Sequence, residues 1–198
     1  MELFLEAAKA FATERHEGQT RRDGTTPYIT HPVRVAQRLQ DAGVNKAEIL
    51  AAAVLHDLIE DTRTQPKEVF ARFGPRVASL VDEVSCPPGM TRSDFTERIA
   101  SGSARSVLIR IADRLDNLEN AEGLDADLRS VFAEEALKLA ATALTNPRLD
   151  RLFPAERRAF DTLLSELITA GRAELQRGPR SRRGNADAII ATFPVHLR

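Results

Sequence analysis

The chain has 198 residues, 42% of them hydrophobic, which suffices for one well-packed domain and makes no strong case for two. Its 28 basic and 29 acidic residues nearly cancel, so overall charge points to neither a nucleic acid nor an acidic membrane as partner. The single Cys86 excludes an internal disulfide and fits a reducing compartment, while 5% aromatics and no tryptophan argue against a base-stacking platform.

The first turn carries Glu2 and Glu6 and has no basic flank, so it makes a poor signal peptide. No stretch approaches the length of uncharged apolar chain that a membrane span needs, and a cytoplasmic location is expected. Leu3, Phe4, Ala7, Ala8, Phe11 and Ala12 share one face of a helix over 2–16. Gly, Pro, Thr and Asp make 17–30 a loop. Thr30 is the expected N-cap of a helix from His31 to about Ala42, with Pro32 in its first turn and Gly43 as its stop. Asn45 and Glu48 read as a capping box opening a helix over 46–61, apolar on most sides and therefore central.

Thr64 is expected to cap a helix over 66–73, which Gly74-Pro75 separates from another at 76–84. A loop at 85–91, a short helix near 93–100 and a Ser-Gly-Ser break follow. Residues 104–120 form a second strongly apolar helix, and 126–144 and 155–170 two amphipathic ones. With no sustained period-two alternation, the fold class is all-α. From Gly171 onward six arginines face two acids, which sets residues 1–170 as the domain and 171–198 as a basic, partly flexible extension. Within it, 178–187 reads as a mobile linker and 188–193 as an apolar segment that docks on the domain or on a second copy.

Four ionisable groups, His56, Asp57, Glu60 and Asp61, end the apolar run Ile49–Leu55. On a continuous helix His56 and Glu60 would lie one turn apart, as would Asp57 and Asp61. Burying such groups beside an Ala/Val/Leu core is costly without a partner. His31 and Asp113 each stand on another apolar helix. Two imidazoles and two carboxylates suit a borderline divalent ion such as Mn²⁺, Fe²⁺ or Zn²⁺. The plainer readings are a solvated helix end at 56–61 and an Asp113 paired with Arg110 or Arg114.

The order His31, then His56-Asp57, then Asp113 resembles the signature of HD-domain metal-dependent phosphohydrolases. Four longer motifs resemble the hydrolase domain of the RelA/SpoT family, which degrades the alarmone (p)ppGpp. They are Gly24-Thr25-Thr26-Pro27-Tyr28-Ile29-Thr30-His31-Pro32, His56-Asp57-Leu58-Ile59-Glu60-Asp61-Thr62, Phe73-Gly74-Pro75 and Ile111-Ala112-Asp113-Arg114-Leu115-Asp116-Asn117-Leu118. The resemblance covers roughly residues 4–145 and implies an HD-domain helical bundle. A chain this short has no room for the family's synthetase and regulatory domains, so a stand-alone small alarmone hydrolase is expected.

The resemblance further implies that His31, His56, Asp57 and Asp113 hold one metal, usually Mn²⁺. It makes Glu60 and Asp61 the catalytic pair, sets Asn117 at the substrate ribose, and gives Arg21 and Arg22 to a basic loop that meets the nucleotide. Pro27 and Tyr28 are expected to shape that loop. The residue types agree with the chemistry, since a divalent ion activates water and orients phosphate and arginines grip phosphate oxygens bidentately. The implied reaction removes the 3′-pyrophosphate of a guanosine nucleotide, giving pyrophosphate and GDP or GTP.

Three places depart from the family pattern. Glu119 stands where a basic residue is common, Asp116 where an aromatic or His is frequent, and the 85–103 loop is not close. Two alternatives therefore stay open. One keeps the site for another nucleotide, such as NADPH, a dNMP or a 3′-phosphonucleotide. The other is a catalytically idle nucleotide-binding module. No membrane or nucleic-acid partner is expected, and whether the chain forms a homo-oligomer is left open.

Overall fold

Apolar residues recurring at three- and four-residue spacing commit the chain to helices. The computed structural model describes residues 2–121 and 124–178. In chain order the helices are α1 (Glu2–Arg15), α2 (Thr30–Asp41), α3 (Ala47–Val54), α4 (Leu58–Asp61), α5 (Pro66–Val84), α6 (Arg92–Ala100), α7 (Ala104–Glu119), α8 (Ala126–Ala143) and α9 (Pro154–Arg177), with a 3₁₀ turn at Leu149–Arg151 before α9. Among the described residues the only β pairing is an isolated antiparallel bridge, Thr20 with Pro27. The all-α class holds, and no described helix is long and apolar enough to cross a membrane.

Two helices form the centre. Every residue of α3 from Ile49 to Val54 is buried, and its four small alanines let α1, α2 and α5 pack against it. The second, α7, packs against α2, α3, α5, α6, α8 and α9. Its Leu108, Ile109, Ile111 and Leu115 are wholly buried, each worth about 1.5–3 kcal/mol relative to exposure. That burial offsets the cost of placing Asp113 and Asp116 in the same helix. On α2 the buried stripe is His31, Pro32, Val35, Ala36 and Leu39, so helical periodicity itself turns His31 inward.

The expected helix over 46–61 is broken. Leu55 closes α3 with φ −100° and ψ 2°, His56 and Asp57 lie in a turn, and α4 has only four residues. His56 and Glu60 are therefore not neighbours on one regular helix. At the break the Ala53 carbonyl accepts from the His56 side chain, Nδ1 to O 2.7 Å. Several caps also differ. Thr30 is the first residue of α2, and its hydroxyl donates to the Pro27 carbonyl at 2.8 Å instead of accepting a helix amide. Lys46 precedes α3 without a side-chain cap, and Glu48 pairs with Arg76 at 3.2 Å. Gln65, not Thr64, opens α5, with its amide on the Glu68 carboxylate at 3.0 Å.

Gly43 does end α2, at φ +99°. The Gly43 amide donates to Gln40 O and the Val44 amide to Leu39 O, each at 2.9 Å, which is a Schellman closure. The two helices expected at 66–73 and 76–84 meet at a kink on Gly74 and count as one α5.

The last helix runs past residue 170 to Arg177. Gly171 does not stop it. A Cβ there would lie 3.1 Å from Leu137 Cγ, so this glycine lets α9 sit close on α8. Glu174 is then held by Arg129 Nε at 3.0 Å. The expected linker beyond Gly178 and the docking segment 188–193 lie outside the described residues.

Candidate active site

Four segments converge at one end of α7. The loop before α2 is drawn into a tight turn by Arg21 N on Thr26 O at 2.7 Å and Tyr28 N on Gln19 O at 2.9 Å. Within it Asp23 accepts the amides of Thr25 and Thr26 at 2.9 and 2.8 Å. The Thr26 hydroxyl first, and those amides next, hold the Asp23 carboxyl down to about 2. This turn delivers Arg21 and Arg22 to a cavity of about 410 Å³. The same cavity is lined by Tyr28, His31, Asp57, Glu60, Asp61, Cys86, Phe95, Arg110, Asp113, Arg114, Asn117 and Phe132.

At its floor, ligand atoms of His31, His56 and Asp113 lie within 4.8 Å of one another, all buried. Nε2 of His31 is 3.2 Å from Asp113 Oδ1 and 3.6 Å from Asp57 Oδ2. Nε2 of His56 is 3.2 Å from Asp57 Oδ1 and 3.7 Å from Asp113 Oδ1. Both Nδ1 atoms are engaged outward, to Asp116 Oδ2 at 2.6 Å for His31 and to the Ala53 carbonyl for His56. His56 Nε2 is buried without a hydrogen-bond partner among the described residues. An orphaned imidazole nitrogen aimed at two carboxylates gives a set of N/O donors that fits a divalent cation.

The electrostatics of the floor agree. Burial presses the His56 imidazole down, but Asp57 and Asp113 overcome it and push it up to about 9. His31 is likewise raised, against its burial, by Asp113 and Asp116. Burial would raise Asp113, yet Arg110 and Arg114 hold it well below the ordinary carboxylate range, with Arg110 Nη1 2.8 Å from its Oδ2. Asp57 is lowered, against burial, by His56 and His31. The pairing of Asp113 with an arginine and its place beside the histidines are thus both present in one side chain.

Glu60 and Asp61 stand at the cavity wall and are set differently. Burial raises the Glu60 carboxyl, while the Cys86 amide, 2.9 Å from Oε1, opposes the rise. Asp61 is tied to Tyr28, whose hydroxyl lies 2.7 Å from both Asp61 Oδ2 and Asp57 Oδ2. Tyr28 therefore does more than shape its loop. Its phenol is held neutral by burial and by these two carboxylates. Asn117 bridges, with Nδ2 donating to Asp113 Oδ1 at 2.6 Å and Oδ1 accepting from Arg21 at 3.2 Å. The guanidinium of Arg21 lies 5.5 Å from the Tyr28 ring centre and that of Arg22 4.7 Å from the Phe132 ring centre.

The structure thus brings together all nine side chains singled out in the sequence. It adds Arg110 and Arg114, which the sequence offered only as ion-pair partners, Asp116, which it marked only as a departure from the family pattern, and Arg34, which it did not single out. Their signal was spacing, since Asp116 follows Asp113 and Arg34 follows His31 by three residues. The departures at Asp116 and Glu119 do not face the cavity. Asp116 accepts from Arg34 and His31, and Glu119 pairs with Arg38. Both line a separate cleft between α2, α7 and α9.

Comparison with known proteins fits this geometry. An HD-domain family profile matches residues 8–101. A guanosine-3′,5′-bis(diphosphate) 3′-pyrophosphohydrolase, MESH1 of Xenopus tropicalis, is 40% identical over 124 residues, covering 60% of this chain and 69% of that protein. The chain belongs to the HD-domain hydrolase family. Another member, the bifunctional (p)ppGpp synthase/hydrolase SpoT of Escherichia coli K12, is 38% identical over 145 residues, and this HD-domain chain spans 20% of its length. A solved structure described as a metazoan ortholog of SpoT that hydrolyses ppGpp superposes with TM-score 0.68 at 28% identity, covering 81% of this chain and 93% of that one.

Proposed function

We propose that this HD-domain hydrolase removes the 3′-pyrophosphate of (p)ppGpp, giving pyrophosphate and GDP or GTP, with Mn²⁺ as its ion. The observation that carries this reading is the arginine-walled cavity above the His/Asp cluster. Four arginines, Arg21, Arg22, Arg110 and Arg114, line it with four carboxylates, Asp57, Glu60, Asp61 and Asp113. These charges cancel, so a divalent cation leaves a net positive site, which a pyrophosphate-bearing nucleotide requires. MESH1 and SpoT, the relatives described above, are named for that substrate.

In this reading His31, His56, Asp57 and Asp113 are the ligands. When bound, the ion supplies Lewis-acid charge neutralisation and acidifies water. Arg21 and Arg22 grip phosphate oxygens, and Asn117 meets the ribose. Glu60 is the base, because burial makes its carboxylate more basic than an exposed one. Water adds to the phosphorus nearest the ribose and the bond to the 3′-oxygen breaks. The proton taken up by Glu60 is returned to that oxygen. Asp61, fixed by Tyr28, orients the water.

The motive for a different nucleotide substrate weakens, since Asp116 and Glu119 stand outside the cavity. An idle module gains nothing from keeping both Glu60 and Asp61 on the cavity wall. The test is pyrophosphate release from ppGpp with Mn²⁺, run beside NADPH, a dNMP and a 3′-phosphonucleotide. Turnover of ppGpp that chelator abolishes is expected. Metal-loaded protein that releases no pyrophosphate would sink the substrate assignment.

A further inference from the structure

Beneath the cluster a part-exposed arginine holds a buried carboxylate, in an ion pair that lies outside the cavity. Asp116 is 1% exposed. Arg34 donates Nε to its Oδ1 at 2.6 Å and Nη2 to its Oδ2 at 3.0 Å, and Asn120 Nδ2 approaches Oδ1 at 3.3 Å. A carboxylate gripped this way by a guanidinium is ionised and only accepts. The proton in its 2.6 Å bond to His31 Nδ1 must then belong to the imidazole. That leaves Nε2, across the ring, facing Asp113 and Asp57.

His56 reaches the same state through a backbone carbonyl, Ala53 O. His31 has no such carbonyl and relies on a side chain from another helix. Each helix contributes twice, α2 with His31 and Arg34, α7 with Asp113 and Asp116, each pair three residues apart and so on one face.

We propose that Asp116, clamped by Arg34, is a positioning residue that fixes the tautomer and ring angle of His31 so that Nε2 serves the metal. This rests on the metal-site reading above. Outer carboxylates of this kind change metal affinity roughly 10–100-fold when removed.

The test compares the wild-type chain with Asp116→Ala and Asp116→Asn. Mn²⁺ affinity is measured by calorimetry, and the His31 tautomer by imidazole ¹⁵N NMR on metal-free protein at a pH high enough to keep the ring neutral. Asp116→Ala is expected to weaken Mn²⁺ roughly 10–100-fold and to lose the fixed Nδ1–H tautomer, with turnover returning towards normal at saturating Mn²⁺. Asp116→Asn, which keeps an acceptor oxygen and the volume, is expected to weaken it less. It carries the test if the alanine variant does not fold. Folded variants with unchanged Mn²⁺ affinity and unchanged His31 tautomer would overturn the positioning role. Wild-type protein that binds no Mn²⁺ would instead overturn the metal reading beneath it.

Discussion

Glu60 and Asp61 are adjacent carboxylates with different surroundings, and in the proposed reading that difference divides their work. Glu60 is raised by burial, while Asp61 is fastened to the Tyr28 hydroxyl. Replacing Glu60 by Gln keeps the shape and removes the proposed base. Turnover is expected to fall roughly 10²–10⁴-fold with Mn²⁺ affinity preserved, as read by steady-state kinetics beside calorimetry. Loss of metal with turnover would instead make Glu60 a ligand. Asp23 gives a second check, on the loop that carries Arg21 and Arg22. Its folded carboxyl sits at about 2 against an ordinary 3.8. A depressed carboxylate stabilises the fold above its unfolded value and loses that contribution as pH falls through its folded one. The loop is therefore expected to stay closed at pH 4 and open near pH 2. A ¹³C carboxyl titration of Asp23 with a midpoint near 4 would contradict this.

At the scale of elements, periodicity was enough to place most helices, because an apolar stripe is a property of spacing alone. It did not find the break at His56. The apolar residues before it and the acids after it continue a helical pattern, and nothing in that pattern announces the turn at Leu55 or the bond from His56 to the Ala53 carbonyl. Nor could composition tell that Gly171 serves close packing on Leu137 and does not end a helix. Gly74 is the opposite case, since Gly-Pro announces a kink and the structure has one there, at φ 80° and ψ 174°. No atom crowds a Cβ at that position, so the cost of a side chain is backbone strain. Gly74→Ala is expected to lose about 1–3 kcal/mol of stability, measured by urea unfolding, with Mn²⁺ affinity intact. An unchanged midpoint would show that the kink relaxes.

Over the whole molecule, the fold exists to bring α2, the α3–α4 turn and α7 to one point while α8 and α9 back α7 from behind. The His/Asp cluster was legible because each member sits on or beside an apolar helix, where an ionisable group is conspicuous. The supporting groups were not. Arg34 and Asp116 look like ordinary surface charge until α2 packs on α7, and Asp116 even read as a departure from the family pattern. In the proposed reading, what joins all of these residues is a single ion held by two imidazoles and two carboxylates. The most direct measurement is an anomalous difference map from crystals of the full chain grown with MnCl₂, recorded at the manganese edge. One strong peak within ligand reach of His31 Nε2, His56 Nε2, Asp57 and Asp113 is expected. A map with no peak there, or with peaks only at surface carboxylates, would contradict the account.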